Sequence, residues 1–333
     1  MSSIWEFVKR HKGKFVAGSQ SCDKALTESI GDVKNVIRSR YPVENLVETV
    51  REPDLTPEEK VRIFEDIKLK SIARIISISF AYPLIIVASK TQKSIVCAET
   101  CKNVEKSRQR VQNPGLINYV QSLIFGEDQG QKTANFTDPK VQQVFLNCIQ
   151  FLTTSGLSQL FNRIDGIVEQ LLIDWPLGKS VTVSDFENFF EVAVSKVEHE
   201  IGINNFADLI VPITNVHTRF NDQDASHLEG LLTRFVTLLQ LPSCRQLMNL
   251  FVRRFIFKVV QFLRDDLKDV NQPVAKFLPA IADAFSVEAR SQPDSAFQDC
   301  LQSHELHRFA LMAFGAEEAT RATRKIADDF GLD

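Results

Sequence analysis

Residues 71–90 read SIARIISISFAYPLIIVASK, and the fold turns on whether this run crosses a bilayer or forms the buried spine of a helical protein. Between Arg74 and Lys90 lie fifteen uncharged residues, three of them serine and one proline. A span needs about twenty predominantly apolar residues, so on length a buried helix is the better reading. Membrane insertion is the lesser alternative, because Arg74 near one end could snorkel to the interface and lengthen the run.

Working outward, LTPEEKVRIFEDIK (55–68) supplies a helix start. Thr56 can cap, Pro57 suits the first helical position, and Glu59 can reach back to close a capping box. Pro83 is the one strong breaker before about residue 105. The spacing therefore predicts a helix of some forty residues, roughly 60 Å long, bent where the proline ring removes a backbone hydrogen bond.

DPKVQQVFLNCIQFLTTSGLSQLFNRIDGIVEQLLIDW (138–175) is a second long helical pattern. Val144, Cys148, Phe151 and Leu152 give way to Leu157, Leu160, Ile164, Ile167 and Leu171, and Gly156 is expected to loosen the middle. In SDFENFFEVAVSKVEHEIG (184–202), Ser184 and Glu187 suggest a capping box and Gly202 a stop, around a stripe of Phe186, Phe190, Ala193, Val197 and Ile201. PSCRQLMNLFVRRFIFKVVQFLRDDL (242–267) carries two adjoining stripes, Leu247 to Leu263 and Met248 to Val260, a face wide enough to need several partners.

Polar stretches near 105–114, 126–137 and 215–226 read as loops too short to separate domains. With apolar residues at helical spacing nearly everywhere and no fixed-period repeat, the expectation is an all-α fold, one elongated single-domain bundle of long helices.

A net charge of −3 and a pI near 6.1 give no broad basic field for nucleic acid. The cysteines at 22, 97, 101, 148, 244 and 300 sit mostly among apolar residues and read as free thiols. No glycine-rich phosphate loop or serine elbow is present, which argues against an enzyme. HELH (304–307) spaces His304 and His307 for a shared metal but lacks a partner helix of ligands, so a polar helical turn is the plainer reading. The acidic neighbours of His199 read as a solvated face, and the 25 phenylalanines as core, with a binding groove open to some of them.

The amino-terminal stretch IWEFVKRHKGKF (4–15) gathers Lys9, Arg10, Lys12 and Lys14 against Glu6, beside Trp5, Phe7 and Phe15. Such a cluster suits an anionic membrane surface, and equally a solvated tail. VAGSQSCDKALTESIGDVK (16–34) is too polar to cross a bilayer. The division drawn from this is a basic targeting or membrane-associating segment over residues 1–20 and a helical bundle domain over 21–333.

Three stretches taken together, IWEFVKRHKGKF (4–15), IFEDIKLKSIARIISISFAYPLIIV (63–87) and DPKVQQVFLNCIQFLTTSGLSQLFNRIDGIVEQLL (138–172), resemble the peroxin-3 family in order and spacing. PVAKFLPAIADAF (273–285) is a weaker fourth match. The resemblance implies a cytosol-facing helical bundle on the peroxisomal membrane, without enzyme activity or cofactor. It further implies a docking receptor for the chaperone peroxin-19, which carries newly made membrane proteins and lays an amphipathic helix in an apolar groove.

The family lines that groove with a tryptophan in a WEDLK-like motif; here FEDIK (64–68) puts Phe64 in its place. Lys60, Val61 and Ile67 would flank it, Val47 and Val50 from ENLVETV (44–50) would join one wall, and Val168 and Leu171 the other. An aromatic anchor remains, without the indole donor. Family members usually follow the basic cluster with a hydrophobic anchor, whereas this chain continues into VAGSQSCDKALTESIG, so direct insertion at that site is not expected, and peripheral attachment, retention by another protein or a missing segment are the alternatives. A monomer is expected. The rival readings are a soluble helical scaffold for a different partner helix and, far behind, a metal-dependent enzyme using His304 and His307.

Overall fold

The computed structural model describes residues 2–112, 139–202, 206–212, 222–268, 270–290 and 292–315. They form α1 (Ser2–Arg40), α2 (Val43–Val50), α3 (Pro57–Gln112), α4 (Pro139–Phe151), α5 (Leu157–Leu172), α6 (Val183–Ile201), α7 (Phe206–Ile210) and α8 (Asp222–Leu239). α9 (Pro242–Leu267), α10 (Val274–Glu288), α11 (Ala296–Leu301) and a last helix, α12, over 304–315 complete the bundle. Two short strands, β1 (Ser180–Val181) and β2 (Gln272–Pro273), pair antiparallel and clip the α5–α6 connection to the start of α10. The fold is all-α.

α3 is the spine. Thr56 and Glu59 form the expected cap: the Thr56 backbone N–H donates to the Glu59 carboxylate at 2.8 Å, and the Glu59 N–H donates to Thr56 Oγ1 at 3.2 Å. The helix then runs for 56 residues with Pro83 inside it. It continues past residue 105, where polarity suggested a loop, because Glu, Lys, Arg and Gln are strong helix formers and the next breaker is Pro114. The same distinction corrects the loop expected at 215–226, since 222–226 is already helical in α8. Residues 113–138 and 213–221, which hold the rest of those expected loops, lie outside the described residues.

The run 71–90 lies wholly inside the protein apart from a half-buried Ser89. It belongs to the one described helix long and apolar enough to cross a membrane, and that apolar window is entirely covered by other helices. Its polar groups explain why protein replaces lipid here. Ser79, Thr91 and Ser94 donate back to carbonyls one turn earlier, and Ser77 donates to the Tyr41 hydroxyl at 3.0 Å. Arg74 pairs with Glu44 of α2, and Lys90 with Asp23 and Ser19 of α1. Each buried cation thus ties a neighbouring helix to the spine.

α1 lies antiparallel along α3, burying Cys22, Leu26, Ile30, Val33 and Ile37 in the main core. Both stripes of α9 are buried, as its wide apolar face requires. α4 and α5 form one long element interrupted by a π-helical turn, Leu152–Gly156. Gly156 allows it: an added Cβ would meet the Leu209 carbonyl oxygen of α7 at 1.9 Å. The cap of α6 falls two residues before the expected Ser184–Glu187 pair. Thr182 and Asp185 form it, with the Thr182 N–H donating to the Asp185 carboxylate at 2.7 Å, because the β1–β2 clip holds Thr182 extended. Glu187 pairs instead with Arg264 of α9, and Gly202 ends the helix at φ 74°.

Candidate functional site

The expected groove residues fall at one end of the bundle. Apart from the main core, Val43 of α2, Ile67 of α3 and Leu278 of α10 form a small buried cluster. Leu46, Val47, Val50, Ile63, Leu177 and Ala282 pack partly buried around it. α2 has a short apolar face that this cluster covers only in part, so Val47 and Val50 remain partly accessible.

The first turns of α3 present a second face. Val61, Phe64 and Lys68 follow one another at i, i+3 and i+7, so they share one side of the helix. Val61 is 56% exposed and Phe64 37% exposed, both high for apolar side chains at a helix start. Lys68 is buried: its ammonium donates to the Trp175 carbonyl at 2.7 Å and pairs with Glu65. That bond holds the Phe64 side of α3 beside the turn that follows α5. There Ile173 is 78% exposed, while Trp175 is fixed edge-on against Phe186 and Phe189 with Lys179 over its ring at 4.8 Å.

Of the sequence-derived residues, Val61 and Phe64 stand exposed, and Lys60, Val47, Val50 and Leu171 are half-buried. Ile67 and Val168 face inward, Ile67 into the small cluster and Val168 into the main core. They back the walls and do not line them, because α5 packs Ile164, Ile167, Val168 and Leu172 against the spine. Sequence reasoning missed Ile63, Leu46, Leu177, Leu278, Ala282 and Ile173. Ile173 carried a signal, an apolar residue immediately before Asp174 and Pro176 at the end of a long helical pattern.

At the opposite end of α3, the basic amino terminus belongs to α1, which runs unbroken through residue 20. Phe7 and Phe15 are buried with Ala98, Cys101, Ala310 and Phe314, their rings 5.3 and 5.2 Å from that of Phe314. Arg10 and His11 hold Glu105 at 2.7 and 2.8 Å. Burial raises the Glu105 carboxyl, but His11 and Arg10 outweigh it and bring it below its ordinary range. Lys9, Lys12 and Lys14 are exposed; the Trp5 side chain lies outside the described residues.

His304 and His307 sit on α12 at the rim of a cleft of about 440 Å³, shared with Ser19, Asp23 and Lys90. The His307 ring leans on Phe15. Among the described residues, no three metal-ligating side chains converge. The two histidines, the tightly paired Lys90 of α3 and the Ser19 and Asp23 of α1 thus form a polar seam where α1, α3 and α12 meet.

An all-helical bundle with exposed apolar side chains at the start of its spine helix invites comparison with the peroxin-3 family. The Peroxin-3 family model matches residues 10–315. The chain belongs to the Peroxin-3 family. Peroxisomal biogenesis factor 3 of Rattus norvegicus is 20% identical over 336 residues, spanning 92% of this chain and 84% of the relative. The Homo sapiens protein of the same name is 21% identical over 337 residues with the same coverage. Membership makes the chain a peroxisome biogenesis factor that acts at the peroxisomal membrane, and not an enzyme.

Proposed function

We propose that the chain is a docking receptor for peroxin-19 loaded with newly made peroxisomal membrane proteins. It takes an amphipathic helix of that chaperone on the surface formed by Val61, Phe64 and Ile173 and bounded by Val47, Val50 and Leu171. The observation that carries this reading is the exposure of Val61 and Phe64 on a helix start held rigid by its capping box and by Lys68. An amphipathic helix docks through apolar anchors at i, i+3 and i+4 spacing, and a fixed, partly exposed aromatic at the mouth of an apolar groove suits such an anchor. Lys60, half-buried at the rim, suits an acidic flank on the docking helix.

In this reading the bulk of the chain faces the cytosol as a monomer, and the exposed Lys9, Lys12 and Lys14 meet the anionic membrane surface from the far end of α1. Isothermal titration of the full chain with an amino-terminal peroxin-19 peptide tests it. Saturable binding weakened roughly 30-fold by Phe64→Ala, about 2 kcal/mol, is the expected result. A folded protein that ignores the peptide at high micromolar concentration would point to the rival, a scaffold for another helix. Peptide binding indifferent to Phe64→Ala would displace the groove from this surface.

A further inference from the structure

Two thiols one turn apart on α3, Cys97 and Cys101, stand where the amino-terminal turns of α1 are seated. Up to Phe15, α1 is held by a small cluster separate from the main core. There the wholly buried Cys101 joins Phe7, Phe15, Ala98, Ala310 and Phe314, with half-buried Cys97 at the edge. The Cys97 thiol donates to the Lys14 carbonyl of α1 at 3.6 Å. One turn further along α1, Gly18 leaves the sulfur uncovered: an added Cβ would sit 3.4 Å from Cys97 Sγ. Glycine weakens a helix interior relative to alanine, and here it opens a crevice onto the thiol. That crevice, about 10 Å³, is lined by Cys97 and Gly18 with Phe15, Ser19, Lys93 and Ser94, and admits one water-sized molecule.

We infer that Cys97 and Cys101 form a dithiol switch oxidised by hydrogen peroxide, which is small enough for the crevice where a peptide disulfide is not. The hydrogen bond from Cys101, aided by Lys93 and Lys14, outweighs burial and brings the Cys97 thiol down to about 7, while the Cys101 thiol is pushed up. Cys97 therefore supplies the attacking thiolate near neutrality, and Cys101 keeps its proton. The thiolate sulfur attacks one peroxide oxygen. The S–O bond forms as the O–O bond breaks, and the released hydroxide takes a solvent proton to leave as water. The Cys101 sulfur then attacks the sulfenic sulfur of Cys97. The S–S bond forms, the S–O bond breaks, and the departing hydroxide takes the Cys101 proton as a second water. Two thiols thus lose the two electrons that one peroxide gains. The buried Cys22, Cys148, Cys244 and Cys300 stay reduced, because burial pushes their thiols up to about 11 or 12.

Residues four apart on a helix hold their Cβ atoms about 5–6 Å apart, whereas a disulfide brings them to about 3.8 Å. The bond closes only by tightening the 97–101 turn. That movement draws Cys101 from the rings of Phe7, Phe15 and Phe314, and oxidation removes the S–H that reaches Lys14. The switch therefore loosens the basic start of α1. The inference stands independently of what docks at the groove.

The test is titration of the full chain with hydrogen peroxide at neutral pH, read by tryptic mass spectrometry and amide hydrogen exchange. The peptide SIVCAETCK (94–102) carries both thiols. One equivalent of peroxide should remove two hydrogens from it, spare the other four cysteines and be reversed by dithiothreitol. In the oxidised protein, amides of the α1 turns up to Gly18 should exchange roughly tenfold faster. Cys101→Ser keeps a hydroxyl beside Cys97 and should stop at a sulfenic acid that dimedone captures. Gly18→Ala sets a methyl on the sulfur and should slow oxidation several-fold with both thiols in place, which keeps the test decisive if Cys101→Ser does not fold. Oxidation spread over all six cysteines, a persistent sulfenic acid in the wild type, unchanged α1 exchange in the disulfide form, or a wild-type rate in Gly18→Ala overturns the inference.

Discussion

Replacing Glu44 with glutamine should destabilise the protein more than removing the arginine it pairs with. In the wild type, the wholly buried Arg74 has Glu44 at 2.9 Å and the face of Phe285 at 4.2 Å. Glu44→Gln keeps the shape but leaves a buried guanidinium with one neutral amide oxygen and a ring. Breaking a fully buried pair costs about 3–5 kcal/mol. The Glu44 side chain is 45% exposed, so water screens part of the interaction, and about 2 kcal/mol is expected. Arg74→Met removes the charge that needs compensation and frees Glu44 to face water, so its loss should be nearer 1 kcal/mol. The double variant should be no worse than Arg74→Met alone. Urea unfolding at pH 7 measures all three, with unchanged m-values as the check that only stability moved. A Glu44→Gln loss below about 0.5 kcal/mol, or one smaller than that of Arg74→Met, refutes the reasoning.

Acidity gives the same contact a signature. Burial raises the Glu44 carboxyl, but its own backbone hydrogen bond and the charges of Arg74 and Arg38 outweigh that and leave it below the ordinary carboxylate range. The contribution is therefore complete above the unfolded value, about 4.3, and is lost as pH falls through the lower folded value. The gap between wild type and Glu44→Gln should be constant from pH 7 to 5 and close below pH 4.

Two further substitutions separate features that look alike in the sequence. Gly156→Ala should cost roughly 2 kcal/mol or more, since its Cβ would meet a backbone oxygen at 1.9 Å, while Gly166→Ala, with nothing within 4 Å, should be neutral or gain up to about 1 kcal/mol; equal midpoints in urea would contradict the close approach of α7. Thr182→Ala should cost about 1 kcal/mol as the loss of a cap, and Ser184→Ala less than half of that; the reverse order in thermal unfolding would move the cap back to Ser184.

The spine was legible because its signals agree. The cap at Thr56, the fifteen-residue limit on the uncharged run and the apolar continuity from Ile67 to Ile95 all describe one buried helix. The far end of α3 was not legible, because a polar run without an apolar stripe does not separate a loop from a helix whose side chains, such as Glu105, are paired on its surface. The α6 cap was missed for a different reason. T-x-x-D at 182 and S-x-x-E at 184 are locally equivalent, and only the pairing of β1 with β2, 91 residues apart, chooses between them.

The candidate groove was half legible, and the missing half has one physical cause. Phe64 and its neighbour Val61, on a single helix start, follow from the resemblance of FEDIK to the family motif. The opposite wall depends on which side chains α5 spends on the core, and periodicity does not rank Val168 against Leu171 or Ile173. The structure ranks them through Lys68, a cation that a pattern of apolar positions ignores: by holding the Trp175 carbonyl it fixes where the chain leaves α5, so that Val168 is enclosed and Ile173 is left outside. Arg74 does the same for α2 through Glu44. A lysine and an arginine near the start of α3 thus fix the two elements that flank the exposed Val61 and Phe64, a role that a pattern of apolar positions does not reveal.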